Sequence, residues 1–73
     1  MAHRIPEALA INILRRPDVE ARTGLSRSTI YAKMSANTFP QSVRLGVRAV
    51  GWIESEIDGW LVAQVHRSRQ TTE

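Results

Sequence analysis

The chain has no cysteine. That excludes disulfide staples and every thiolate metal site. Its two histidines, His3 and His66, stand near opposite ends. Metal sites gather their ligands, so both read as solvated tail residues and no metal is expected. Apolar runs are short, none near the roughly 20 residues of a membrane-spanning helix. No membrane is expected, and the opening Met1-Ala2-His3-Arg4-Ile5-Pro6-Glu7 lacks the apolar stretch of a signal peptide. A reducing, cytoplasmic setting is the default. There is no Gly-rich phosphate loop and no Ser/His/Asp or Cys/His set, so neither catalysis nor a cofactor is expected. Glu54, Glu56 and Asp58 are better explained as the acidic start of a helix than as an acid–base group. At 73 residues the chain has room for one domain with a small core.

The most telling scarcity is of one sign of charge. Between Ala21 and Ile53 there is no Asp or Glu, while Arg22, Arg27, Lys33, Arg44 and Arg48 fall there. The acids gather outside, at Asp18 and Glu20 before and at Glu54, Glu56 and Asp58 after. The net charge of +3 understates this asymmetry. One basic face and one mixed face are implied. A basic face favours nucleic acid as partner; a solvated basic surface is the bland alternative.

What the central segment does contain is helix punctuation. Pro17 suits a first helical position, where its missing N–H is an orphan anyway. Gly24 can take the left-handed conformation that ends a helix. Ser26 then fits as N-cap of a second helix, with Leu25 and Ile30 as a hydrophobic staple across it. The spacing predicts helices over Pro17–Thr23 and Arg27 to about Ala36, joined by a tight turn, which is a helix-turn-helix. In the first helix Val19 and Ala21 are expected to face inward. In the second, Ile30 and Met34 share the core face, with Ser28, Tyr31, Ala32 and Ser35 on the other side. Asn37 fits the C-terminal turn, and Phe39-Pro40 forbids continuation.

From Ser42 to Trp52 the apolar period shortens to two. Strands Ser42–Leu45 and Ala49–Trp52, turning near Gly46-Val47-Arg48, make a hairpin with arginines on both sides of its tip. Such a hairpin beside a helix-turn-helix is a wing. Ahead of the helices a loose arm is expected to end in a short strand at Asn12–Leu14. The last element runs from about Glu54 to Val65, with Ile57, Trp60, Leu61 and Val65 on one face. Ile53 cannot cap it. His66–Glu73 is polar and reads as a disordered tail. The expected division is an N-terminal arm at 1–12, a DNA-binding domain at 13–65 and a flexible tail at 66–73.

The ordered set Leu14-Arg15-Arg16-Pro17-Asp18-Val19, Gly24-Leu25-Ser26-Arg27-Ser28-Thr29-Ile30-Tyr31, Phe39-Pro40, Val43-Arg44-Leu45-Gly46, Val50-Gly51-Trp52 and Glu54-Ser55-Glu56-Ile57-Asp58-Gly59-Trp60-Leu61 resembles the AlpA-type prophage regulators. These are small relatives of MerR-like winged helix-turn-helix domains and of phage excisionases. The resemblance covers about Ile13 to Leu61. It implies a mainly α fold with a small β-hairpin, and a DNA-binding protein of phage or integrative-element origin. Such proteins activate or repress promoters, and some promote excision as recombination directionality factors. Two positions depart from the pattern. Relatives often carry a basic residue where this chain has Ala32, and Arg or Ser where it has Ile53.

Arg27, in the first turn of the second helix, suits guanine O6 and N7 in the major groove or a phosphate. Ser28 and Thr29 suit phosphate bonding near a helix N-terminus, and Thr29 could instead help the cap. Ser26 is a cap first and a phosphate ligand second. Tyr31 either contacts DNA or packs within the protein. Ala32 is small enough to touch a thymine methyl, and Lys33 faces phosphate or solvent. Arg44 and Arg48 suit the backbone or a narrow minor groove, against a plain cross-strand charged surface. Trp52 and Trp60 read as core rather than base-stacking platforms.

The sequence is thus expected to encode a sequence-specific double-stranded DNA-binding regulator, with helix 27–36 in the major groove and wing 44–48 on the backbone or minor groove. An excisionase bending attachment-site DNA is the alternative within that class. A protein-interaction module binding an acidic partner is the alternative from another. Further copies on adjacent sites, held by the strand at Asn12–Leu14 or by the tail, are expected; integrase or RNA polymerase are possible partners. About five neutralised phosphates would give a log–log salt slope near −4 to −5.

Overall fold

The computed structural model describes residues 11–70, so most of the expected arm and the last residues of the tail lie outside it. Its elements are β1 (Ile13–Leu14), α1 (Arg16–Thr23), α2 (Arg27–Ser35), β2 (Val43–Arg44), β3 (Val50–Ile53) and α3 (Glu54–Gln70). Helix-turn-helix and wing are both present, and the fold is mainly α with a small antiparallel sheet.

Local chemistry explains each boundary. α1 starts one residue earlier than expected, so Pro17 occupies the second helical position, equally free of an N–H partner. The Arg15 N–H donates to the Asp18 carboxylate at 3.3 Å, satisfying the entry from inside the first turn. Gly24 ends the helix at φ 75°, donating its N–H to Glu20 O at 2.8 Å. Thr23 closes the turn: its Oγ1 donates to Val19 O at 2.7 Å and accepts from Leu25 N–H at 3.2 Å. Ser26 caps α2, its hydroxyl accepting from Thr29 N–H at 3.2 Å. The far end of α2 is a Schellman turn with Asn37 in the left-handed region at φ 60°. Asn37 N–H donates to Met34 O at 3.0 Å and Thr38 N–H to Lys33 O at 2.9 Å.

The sheet has the order β1-β3-β2. β1 pairs with β3 through Ile13↔Ile53 and Leu14↔Trp52, and β2 through Val43↔Gly51 and Arg44↔Val50. β1 thus spends one of its two edges inside the chain. The expected strand is there, and its partner is the chain's own β3. At the wing tip the N–H groups of Leu45 and Gly46 both donate to Ala49 O, at 2.7 and 3.1 Å.

Among the described residues five side chains make the core: Val19 from α1, Ile30 from α2, Phe39 from the α2–β2 connection, Trp52 from β3 and Ile57 from α3. At ~1.5–3 kcal/mol for each fully buried apolar side chain, this small cluster is the main glue. Leu14, Leu25, Tyr31, Met34, Val50, Trp60 and Leu61 pack around it. Trp60 stands edge-on to Phe39 at 4.8 Å and donates its Nε1–H to Thr38 O at 2.8 Å. Trp52 Nε1–H is buried with no acceptor among the described residues, which offsets ~1–3 kcal/mol of the gain from burying the ring.

Four expectations need correction. Ala21 is exposed, because one turn of α1 over the core has room for Val19 alone. Val65 is 48% exposed, since by that point α3 has run past the body of the domain. The expected tail is helical as far as Gln70, with Arg67 and Arg69 in a last turn where cations meet the negative helix end. And the start of α3 does not go unsupported: Asn12 O accepts the Glu54 N–H at 2.8 Å, while Asn12 Nδ2 donates to the Glu54 carboxylate at 3.1 Å.

Candidate nucleic-acid interface

The first turn of α2 forms a small hydroxyl cluster. Ser26 Oγ lies 3.3 Å from Ser28 Oγ and donates to Thr29 Oγ1 at 3.0 Å. Since Ser26 spends its single proton on Thr29, Ser28 is the donor to Ser26. The N–H groups of Arg27 and Ser28, at the first two helical positions, carry no intrahelical bond. Donors therefore converge where the positive end of the helix dipole emerges, an arrangement suited to phosphate.

Arg27 is exposed and lies over the Tyr31 ring, its Cζ 5.4 Å from the centroid. Tyr31 does not belong wholly to the outer face. It is half-buried and meets Trp52 edge-on at 6.3 Å, because the aromatic ring completes the core's rim. Ser28, Ala32 and Ser35 are exposed as expected. Lys33 is half-buried on the flank, at the mouth of a groove that Trp60, Glu56 and Arg67 also line.

Arg44 and Arg48 are exposed on the wing. No hydrogen bond or ion pair links them to the α2 cluster among the described residues, so the candidates fall into two groups. Sequence reasoning treated Val47 only as a turn residue. At 91% exposure it is the most exposed large apolar side chain among the described residues. Its lone break in the charged, small-residue tip, Gly46-Val47-Arg48, was the available signal.

Arg22 leaves the basic face. Its guanidinium bridges Glu54 at 2.5 Å and Asp58 at 2.6 Å, tying α1 to the first turn of α3. These two hydrogen bonds, Glu54's first, raise its pKa above the ordinary arginine value. The Glu54 carboxyl is held below its ordinary value, chiefly by the Asn12 amide and then by Arg22. Arg16 is likewise paired, with Glu20 at 2.7 Å. Of the five cations of the acid-free segment, Arg27, Lys33, Arg44 and Arg48 make no ion pair among the described residues. The acids thus neutralise the α1–α3 side and leave α2 and the wing basic.

The family description "Prophage CP4-57 regulatory protein (AlpA)" matches residues 12–65, which span every described element but the last five residues of α3. The chain belongs to the AlpA family. Two relatives are similar over most of its length. Over 58 residues it is 48% identical to the DNA-binding transcriptional activator AlpA of Escherichia coli (strain K12), covering 71% of this chain and 83% of that one. Over 61 residues it is 38% identical to the uncharacterized protein ORF88 of Enterobacteria phage P4, covering 84% of this chain and 69% of the other. Among the described residues of this AlpA-family chain, no group of three or more His, Cys, Asp or Glu side chains could hold a metal ion. No helix among them is long and apolar enough to cross a membrane.

Proposed function

We propose that this AlpA-family chain is a sequence-specific duplex-DNA-binding regulator of prophage or integrative-element genes, working in the bacterial cytoplasm at the nucleoid without catalysis. α2 lies in the major groove in the manner of MerR-like winged domains. There Arg27 reads a base edge, Ala32 faces a thymine methyl, Lys33 meets a phosphate, and the Ser26, Ser28 and Thr29 hydroxyls turn to phosphate from their bonds to one another. Arg44 and Arg48 hold the neighbouring backbone or minor groove. The observation that carries this reading is the sorting of charge: the ion pairs take Arg16 and Arg22 away, and the unpaired cations of the acid-free segment are those of α2 and the wing. The kinship to an activator described as DNA-binding supports it. Further copies sit on adjacent sites, because one small module has few base contacts.

The test is selection of bound sequences from a random duplex pool, with Arg27→Ala alongside. A short enriched motif whose preference relaxes at one position in the variant is the expected result. No enrichment by the folded protein would overturn the reading and favour a protein-interaction module.

A further inference from the structure

Arg27 and Tyr31 stand four residues apart on α2, the spacing at which helical side chains meet. The guanidinium lies within cation–π range of the ring, and the ring is itself held edge-on by Trp52, which is 0% exposed. A continuous mechanical line therefore runs from the centre of the core, through one half-buried aromatic, to an exposed arginine at the head of the helix. A free arginine carries a large rotamer entropy that is lost when it binds; a stacked one has already lost part of it. A cation–π contact spends none of the guanidinium's N–H groups on an acceptor, so the edge that forms paired bonds to a base or phosphate stays available.

We propose that Tyr31 is a positioning residue for Arg27: held on Trp52, its ring presents the guanidinium edge in a fixed orientation and so sharpens one base-pair preference without touching DNA itself. This rests on the DNA-binding reading above and deepens it, since it assigns Tyr31 a task different from direct contact. Tyr31 acts only through Arg27, and its hydroxyl is dispensable.

The test is a double-mutant cycle on the duplex selected by the wild-type protein. Tyr31→Leu is expected to weaken binding about two- to fivefold, the worth of an exposed cation–π contact, and to relax the same motif position as Arg27→Ala. In the Arg27→Ala background, Tyr31→Leu is expected to cost nothing further. Tyr31→Phe, which keeps the ring, is expected to retain wild-type affinity and motif. Arg27→Lys, which keeps charge but gives up the paired N–H bonds, is expected to lose more than Tyr31→Leu at the same motif position; Tyr31→Met, a flexible ringless side chain that fills irregular space, is expected to match Tyr31→Leu and covers the case in which the leucine variant folds poorly. An equal loss from Tyr31→Leu in both backgrounds would overturn the proposal. So would a Tyr31→Phe loss as large as that of Tyr31→Leu, which would place the hydroxyl on DNA. The stack is read separately, without DNA, as an upfield ring-current shift of the Arg27 side-chain protons in the free protein; its absence overturns the proposal outright. With the shift present and no duplex selected by the wild type, it is the DNA-binding reading that fails.

Discussion

The ion pairs of Arg22 change what salt should do to DNA binding. Counting every cation of the acid-free segment gives five, and at ~0.9 counterions released per neutralised phosphate the log–log slope is about −4.5. Arg22, however, faces two carboxylates at 2.5 and 2.6 Å and has no net positive charge to offer. Counting only the unpaired cations of α2 and the wing, with Lys33, Arg44 and Arg48 at phosphates and Arg27 displacing one further counterion from the groove between them, the slope per bound copy becomes about −3.6. Between 50 and 200 mM salt, that is a loss of about 150-fold in affinity instead of about 500-fold. Fluorescence anisotropy of a labelled duplex across a KCl series measures the slope directly. Arg48→Gln should flatten it to about −2.7, whereas Arg22→Gln should leave it unchanged while the domain remains folded. A flattening by Arg22→Gln as large as that by Arg48→Gln would refute the reasoning, because Arg22 would then be meeting phosphate and not Glu54 and Asp58.

Three further outcomes follow from the fold. Gly51→Ala should destabilise by about 1–3 kcal/mol in chemical unfolding: a Cβ there would run into Ile13 Cγ2, and would stand 3.0 Å from Leu14 O and 3.1 Å from Leu45 Cδ1. A near-neutral result would mean that β1 and the wing can part without cost. Gly24→Ala meets no neighbour, yet sits at φ 75°, so its expected loss of about 1–2 kcal/mol comes from the left-handed backbone alone, and the selected DNA motif should not change. Glu54 is depressed in the folded state by Asn12 and Arg22, so its contribution to stability is present above the unfolded glutamate value of about 4.3 and is lost as pH falls through the lower folded value. Melting temperatures should therefore fall below that pH, and Glu54→Gln should shallow the fall; an unchanged acid limb would show that the Asn12–Glu54–Arg22 cluster adds nothing.

Legibility in the sequence follows the range of the interaction. Pro17, Gly24, Ser26 and Asn37 act on backbone groups a few residues away, so a linear reading places the helix-turn-helix to within a residue or two. The wing was equally legible, because alternation is a local pattern. What escaped depends on partners far along the chain. The charge of Arg22 is claimed by residues 32 and 36 positions later, which no window around Arg22 contains. Tyr31 looked outward on a helical wheel, and is turned partly inward by Trp52 on β3. The helical extension to Gln70 was hidden for another reason. Its exposed residues bury nothing, so the apolar period that marks a helix has no cause to continue, and the chain's arginines there stabilise a helix end as readily as they solvate a tail. For the interface, residue types were legible and their pairing was not. Sequence named Arg27 and Tyr31 separately; only the fold sets one over the other.

One join in the chain has mechanical weight. β3 ends at Ile53 and α3 begins at Glu54, with no residue between them to act as a hinge. The Asn12 bonds and the Arg22 bridge clamp that corner from two sides. Wing and helix are therefore coupled through that corner. At 17 residues α3 is a rod of roughly 25 Å, so a tilt of about 10° at the sheet swings its far end through about 4 Å. A change in how the wing seats is magnified at Arg67 and Arg69, well away from the seat itself.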